Sequence, residues 1–189
     1  FCNDLTNIKK LDVMKILKSI FLVCLLLSTT YAVQAQNIDS DKSVVDFKIS
    51  GGGIFTVKGT FTGMQGEFKF NESDVSNSNF DICIESKTLN TKNEKRDTHL
   101  HSADFFEVEK YPTICYKSSS VSKTSDGYQT TGEMTIHGVT KTVTIPFTFK
   151  NNTFIGELEI NRFDYKIGED FGTIRVGETA KVTITCKVK

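Results

Sequence analysis

The stretch Gly127–Ile160, "GYQTTGEMTIHGVTKTVTIPFTFKNNTFIGELEI", alternates apolar and polar residues and breaks the alternation twice, at His137-Gly138 and Asn151-Asn152. Alternation with period two puts successive side chains on opposite faces of a strand, so the run predicts β-strands with one buried face. The two interruptions suit tight hairpins, and register tests that reading. With His137-Gly138 as a two-residue loop, Ile136 lies opposite Val139, Gly132 opposite Val143, Thr130 opposite Ile145 and Tyr128 opposite Phe147. With Asn151-Asn152 as another, Phe149 meets Phe154, Phe147 meets Gly156, Ile145 meets Leu158 and Val143 meets Ile160. Both hairpins therefore select the same apolar face.

The pattern extends in both directions. Upstream, "KTSDGYQ" suits a three-residue Ser125-Asp126-Gly127 loop, which aligns Ile114 and Tyr116 with Met134 and Ile136. Val45-Phe47-Ile49, Phe55-Val57-Gly59-Phe61, Gly66-Phe68-Phe70 and Phe80-Ile82-Ile84 alternate before the meander, and Val182-Ile184-Cys186-Val188 after it. These eight or nine runs reach about ten residues, roughly 30 Å. The expected fold is all-β, an eight-stranded antiparallel up-and-down barrel, because closure removes the edges that strands this long would expose.

The inward face combines bulky apolar residues with small ones, Ser118, Ser120, Ser122, Thr130 and Gly132. Residues this small leave space in a barrel, and an eight-stranded barrel can hold one small ligand. The candidate lining comprises Phe47, Phe61, Phe68, Ile82 and Ile84 from the early strands and Ile114, Tyr116, Met134 and Ile136 from the meander. Val143, Ile145, Phe147, Leu158, Ile160 and the later Ile184 complete the strand contribution. Such a lumen suits a lipid-like chain, since each buried methylene contributes about 0.8 kcal/mol. Alternatively, the phenylalanines simply fill a core.

Before the barrel, Met14 opens "MKILKSIFLVCLLLSTTYAVQAQ", which has two lysines, an apolar run and small residues near its end. It reads as a secretory signal peptide over residues 14–35, cleaved after Ala35 or, second, after Ala32. Residues 1–13 carry no structural signal and are expected to be non-native. Cys24 lacks the small preceding pair of a lipidation signal. The expected domain is residues 36–189, periplasmic or secreted. Over that range 19 Lys and Arg face 21 Asp and Glu, so nothing favours nucleic acid or an anionic surface. Of its cysteines, Cys83 and Cys115 alternate outward and Cys186 inward. Three free thiols are expected, with a Cys83–Cys115 bridge as the alternative if their strands are neighbours.

"NEKRDTHLHSADFFEVEKYP", Asn93 to Pro112, gathers charges and two of the three histidines. Asn93 is a good N-cap, so a connecting helix is expected around residues 93–104. On a helix His99 and His101 point about 200° apart and cannot chelate one metal. No nucleophile motif accompanies them, and His137 is expected to face solvent. Neither catalytic residues, metal nor cofactor is therefore expected, with an enzyme using His99, His101 and Asp97 as the alternative. The favoured reading has Leu100, Ala103, Phe105 and Phe106 cover one barrel end and form the mouth of the lumen.

"LNTKNEKRDTHLHSADFFEVEKYPTI" and "GEMTIHGVTKTVTIPF", with weaker agreement at "VKGTFTGMQGEF" and "INRFDYKIG", resemble the YceI-like family of exported bacterial proteins. The resemblance implies a lipocalin-like barrel whose apolar pore binds a polyisoprenoid lipid, such as an isoprenoid quinone or a prenyl diphosphate, without catalysis. Carriage, storage or stress protection would follow, with the membrane touched only transiently as the lipid source and a homodimer possible. Two departures bear on the head group. The family usually has arginine where this chain has His101, and its R-x-D-F-G stretch reads Arg162-Phe163-Asp164-Tyr165-Lys166 here.

Overall fold

The computed structural model describes residues 35–189; apart from Ala35, the expected signal peptide and the segment before it lie outside the described residues. Within them, nine strands and one α-helix follow in the order β1 (Val44–Gly51), β2 (Phe55–Phe61), β3 (Gln65–Lys69), β4 (Asn79–Glu85), α1 (Glu94–His101), β5 (Thr113–Thr124), β6 (Gly127–Ile136), β7 (Val139–Lys150), β8 (Thr153–Asn161) and β9 (Val176–Lys187). They form one curled antiparallel sheet in the order β2-β1-β9-β8-β7-β6-β5-β4-β3.

The edge strands β2 and β3 follow each other in the chain, parted only by Thr62-Gly63-Met64. Isolated bridges meet both: Thr60 of β2 pairs with Asn90, just beyond β4, while Gln36 pairs with Phe68 of β3 and Ile38 with Val188. Segment 36–38 thus runs between β3 and the end of β9, and the curled sheet closes on itself. The eight or nine runs of the sequence become nine strands, with the Phe55–Phe61 and Gly66–Phe70 runs forming β2 and β3 on either side of a bend. Gly63 and Gly66 adopt φ of 72° and 125° there, and any Cβ on Gly66 would collide with the Asp81 carbonyl oxygen.

The β6–β7 ladder pairs Ile136 with Val139, Gly132 with Val143, Thr130 with Ile145 and Tyr128 with Phe147, the register deduced from parity. The β7–β8 ladder has Phe149 opposite Phe154 but ends at Phe147 and Gly156. The expected pairs Ile145–Leu158 and Val143–Ile160 are not part of it.

The β5–β6 connection differs from the three-residue loop. Thr124 lies opposite Gly127, leaving a two-residue turn, and the extra residue is a bulge between Ser118 and Ser120 that restores Tyr116 opposite Met134. Because a bulge reverses the faces beyond it, Val121 rather than Ser120 or Ser122 points inward and is buried opposite the fully buried Thr130. Ser120 and Ser122 are exposed. Ser118 is half-buried and accepts from Phe80 N at 2.9 Å. Gly132 packs directly on the backbone of Lys117 and Ser118.

Cys83 and Cys115 are ladder partners on β4 and β5 and form a disulfide, correcting the expectation of three free thiols. Adjacency of two strands 32 residues apart is what the local pattern cannot show. Cys186 remains free, and burial raises its thiol pKa to about 11. Replacing both Cys83 and Cys115 with Ser should lower stability by roughly 3–4 kcal/mol, from the entropy of the loop released in the unfolded chain. Urea unfolding of parent and variant measures this, and coincident midpoints would contradict it.

Candidate functional site

The barrel has two unlike ends. At one lie the β5–β6 and β7–β8 turns, segment 36–38 and the β3–β4 connection; at the other lie the β1–β2 and β6–β7 hairpins, α1 and the β8–β9 connection. Aromatic rings fill the first. Phe147 stacks on Phe154 with ring centroids 4.5 Å apart, Phe68 tilts on Phe80 at 4.8 Å, and Phe70 meets Tyr128 edge-on at 4.9 Å. Edge-to-face and offset contacts of this kind are favourable beyond their buried area.

Above this floor lies a cavity of about 420 Å³. Phe68, Phe80 and Phe154 form its base, and the walls include Ile84, Ile114, Met134, Ile136, Ile145, Leu158, Ile160, Val182 and Ile184. Tyr116 supplies one hydroxyl, 2.8 Å from Thr130 Oγ1, and burial raises its pKa. Phe47, Phe61, Ile82, Leu100, Phe105 and Phe106 also face the cavity. Of the residues assigned to the lumen from the sequence, Phe147 and Val143 do not line it. Phe147 is consumed in the aromatic floor, and the half-buried Val143 packs on the core without reaching the cavity. Ile49, Val57 and Val182 line the cavity unanticipated, although alternation in their strands could have found them. Ile167 and Phe171 come from the irregular β8–β9 connection, where no periodicity marks them.

The mouth is built by three segments. Asn93 caps α1, its side chain accepting from Arg96 N at 3.0 Å. Asp97 then accepts from Thr91 N at 2.9 Å, and Arg96 donates from Nε to Thr91 Oγ1 at 2.7 Å and from Nη2 to the Thr91 carbonyl at 3.0 Å. These charges therefore fix the helix entry to the preceding loop. The helix ends at His101, earlier than expected, and Ala103 is exposed instead of covering the barrel. His99 Nε2 lies 2.8 Å from Asp104 Oδ2, and its ring meets Phe105 and Phe171 edge-on at 5.0 and 5.2 Å. His101, where the family resemblance implies arginine, does not line the cavity. His137 is not solvent-facing: its ring packs on Tyr111 at 4.6 Å, and Nδ1 lies 3.2 Å from the Tyr165 carbonyl oxygen.

Arg162 holds the third segment. It is 4% exposed, and its guanidinium donates to the carbonyls of Gly177, Ile167, Gly168, Phe171 and Val176. With all its donors committed to backbone, and its pKa lowered by desolvation, it shapes the β8–β9 connection instead of waiting for a ligand. Arg162→Met should orphan several carbonyls and cost about 3 kcal/mol or more. Thermal unfolding checks this; an unchanged midpoint would show that the connection holds without it.

Residues 36–188 match the family described as the YceI-like domain. The protein YceI of Salmonella heidelberg is 34% identical over 164 residues, spanning 80% of this chain and 86% of that protein. Among solved structures, BcnA of Burkholderia cenocepacia is similar with a TM-score of 0.73 and 24% identity, over 79% of this chain and 98% of that one. The YceI protein of Campylobacter jejuni gives 0.63 and 25%, over 72% and 86%. A polyisoprenoid-binding domain of Saccharophagus degradans implicated in plant cell wall breakdown gives 0.59 and 14%, over 80% and 96%.

Proposed function

The chain belongs to the YceI-like family, and from that membership and the shape of the lumen we propose that it holds one polyisoprenoid lipid in the barrel. The observation that carries the reading is the apolar cavity of about 420 Å³ above a sealed aromatic floor, within the range of small-molecule sites. Apart from the engaged Tyr116 hydroxyl, Ser50, and Arg96, His99, Arg162 and Arg175 toward the mouth, the wall is apolar, so it offers little to a polar molecule and much to a hydrocarbon chain. The similarity in fold to a polyisoprenoid-binding domain supports the choice of chain.

The tail enters from the end carrying α1 and stops at Phe68, Phe80 and Phe154. The head group, of an isoprenoid quinone or a prenyl diphosphate, stays at the mouth, where Arg96 and Arg175 border the cavity. The Met14–Ala35 pattern supports export to the periplasm or beyond, and a removable bound lipid suits carriage, storage or stress protection. The protein acts as a binder: Asp97 is engaged by Thr91, and His99, which borders the cavity, is packed edge-on against Phe105 and Phe171 as part of the mouth. The filled-barrel alternative conflicts with the cavity itself.

Lipid extraction of protein purified from its native host, followed by mass spectrometry, should recover a polyisoprenoid. Recovering none, together with no uptake of added quinone or prenyl diphosphate, would overturn the proposal. Val182→Phe adds bulk inside the lumen and should weaken binding of an added quinone about tenfold or more while leaving the melting temperature nearly unchanged. In a filled core the same change would overpack and cost about 1–3 kcal/mol.

A further inference from the structure

Four large hydrophobic residues are exposed among the described residues: Ile54 at 95%, Ile174 at 82%, Phe55 at 59% and Ile155 at 43%. Three of the four stand at the open end. Ile54 and Phe55 follow Gly51-Gly52-Gly53 at the β1–β2 tip, where Gly52 and Gly53 take φ of 58° and 70°, and Ile174 lies in the β8–β9 connection. The two loops are tied together, because Gly52 N donates to the Arg175 carbonyl at 2.9 Å and Gly51 lies opposite Val176. Ile54 and Ile174 therefore project from adjoining segments of one rim.

We propose that this rim is a membrane-docking surface, in which Ile54, Phe55 and Ile174 enter the interfacial layer of a lipid bilayer and place the mouth of the lumen against it. The inference rests on the lumen being a lipid site. Continuity with the lumen identifies the occupant: Phe55 is both exposed on the rim and part of the cavity wall, so an unbroken apolar path leads from Ile54 into the barrel. A lipid tail can follow that path without crossing water only if the medium outside is itself apolar. A fluid bilayer also accepts single protruding side chains without a shaped pocket for each. Arg175, which borders the cavity beside Ile174 and forms no ion pair among the described residues, is placed to reach lipid phosphate with its stem along the apolar rim. Glu169 and Asp170 share its connection, so the rim is not a basic patch and the aliphatic tips supply the binding.

The sequence contains no tryptophan, so Ile174→Trp creates a single fluorescent reporter at the rim. Its emission should move to shorter wavelength when vesicles of phosphatidylethanolamine and phosphatidylglycerol are added. No shift would overturn the proposal, as would a shift that appears without vesicles and grows with protein concentration, which would mark the rim as a contact between copies. Separately, the double variant Ile54→Asp, Ile174→Asp should slow extraction of a quinone from the same vesicles about tenfold or more, yet bind that quinone from detergent micelles as the parent does. Equal extraction rates would overturn the docking surface. Failure of the parent to bind from micelles would strike the lumen reading alone, the tryptophan shift still deciding the rim.

Discussion

Phe147 stacked on Phe154, with Phe68, Phe70 and Phe80 packed around them, seals one end of the barrel, and much of the architecture depends on that seal. Rings this large satisfy the interior volume at one end with few residues. The branched aliphatic side chains farther along the same strands cannot meet across the barrel, so a cavity remains where the rings stop. A chain entering it has one way in, and the seal turns a tube into a dead-ended pocket. The strands themselves can be long because closure leaves little unpaired edge, and the bent β2–β3 stretch lets the first and last parts of the sheet meet.

The mouth obeys a different logic. Strand ends must be connected somewhere, and here several charged residues of the connections bond to the backbone beside them. Arg162 gathers three carbonyls of the β8–β9 connection and two at the start of β9, and Arg96 and Asp97 both fasten Thr91. Irregular backbone near an apolar pocket would otherwise leave carbonyls and amides unsatisfied, at about 1–3 kcal/mol each when buried. The histidines that suggest chemistry in the sequence also serve to hold the mouth together, since His99 packs on Phe105 and Phe171, and His137 on Tyr111.

The register of the β6–β7 hairpin was legible because two facts sufficed, the turn residues and the period of two. The β5 strand shows where such reasoning stops. Parity required one extra residue between Tyr116 and Met134, and either a longer loop or a bulge supplies it; the fold has the bulge at Ser119, which turns Val121 inward in place of two serines. Phe147 lies on the face that alternation assigns to it yet fills the floor instead of lining the lumen, since facing inward does not say whether a ring meets another ring or empty space.

By itself, then, the sequence determined the fold class, the face of nearly every strand residue and the apolar character of the interior, because all of these follow from alternation along a single strand. Only the tertiary structure decided that Cys83 and Cys115 are bridged, that the lumen is plugged at one end and open at the other, and that Ile54 and Ile174 share a rim. Each of these is a relation between residues far apart in the chain. Side-chain direction is set by local backbone geometry, whereas adjacency and leftover volume exist only once the sheet has curled and every strand has its neighbours.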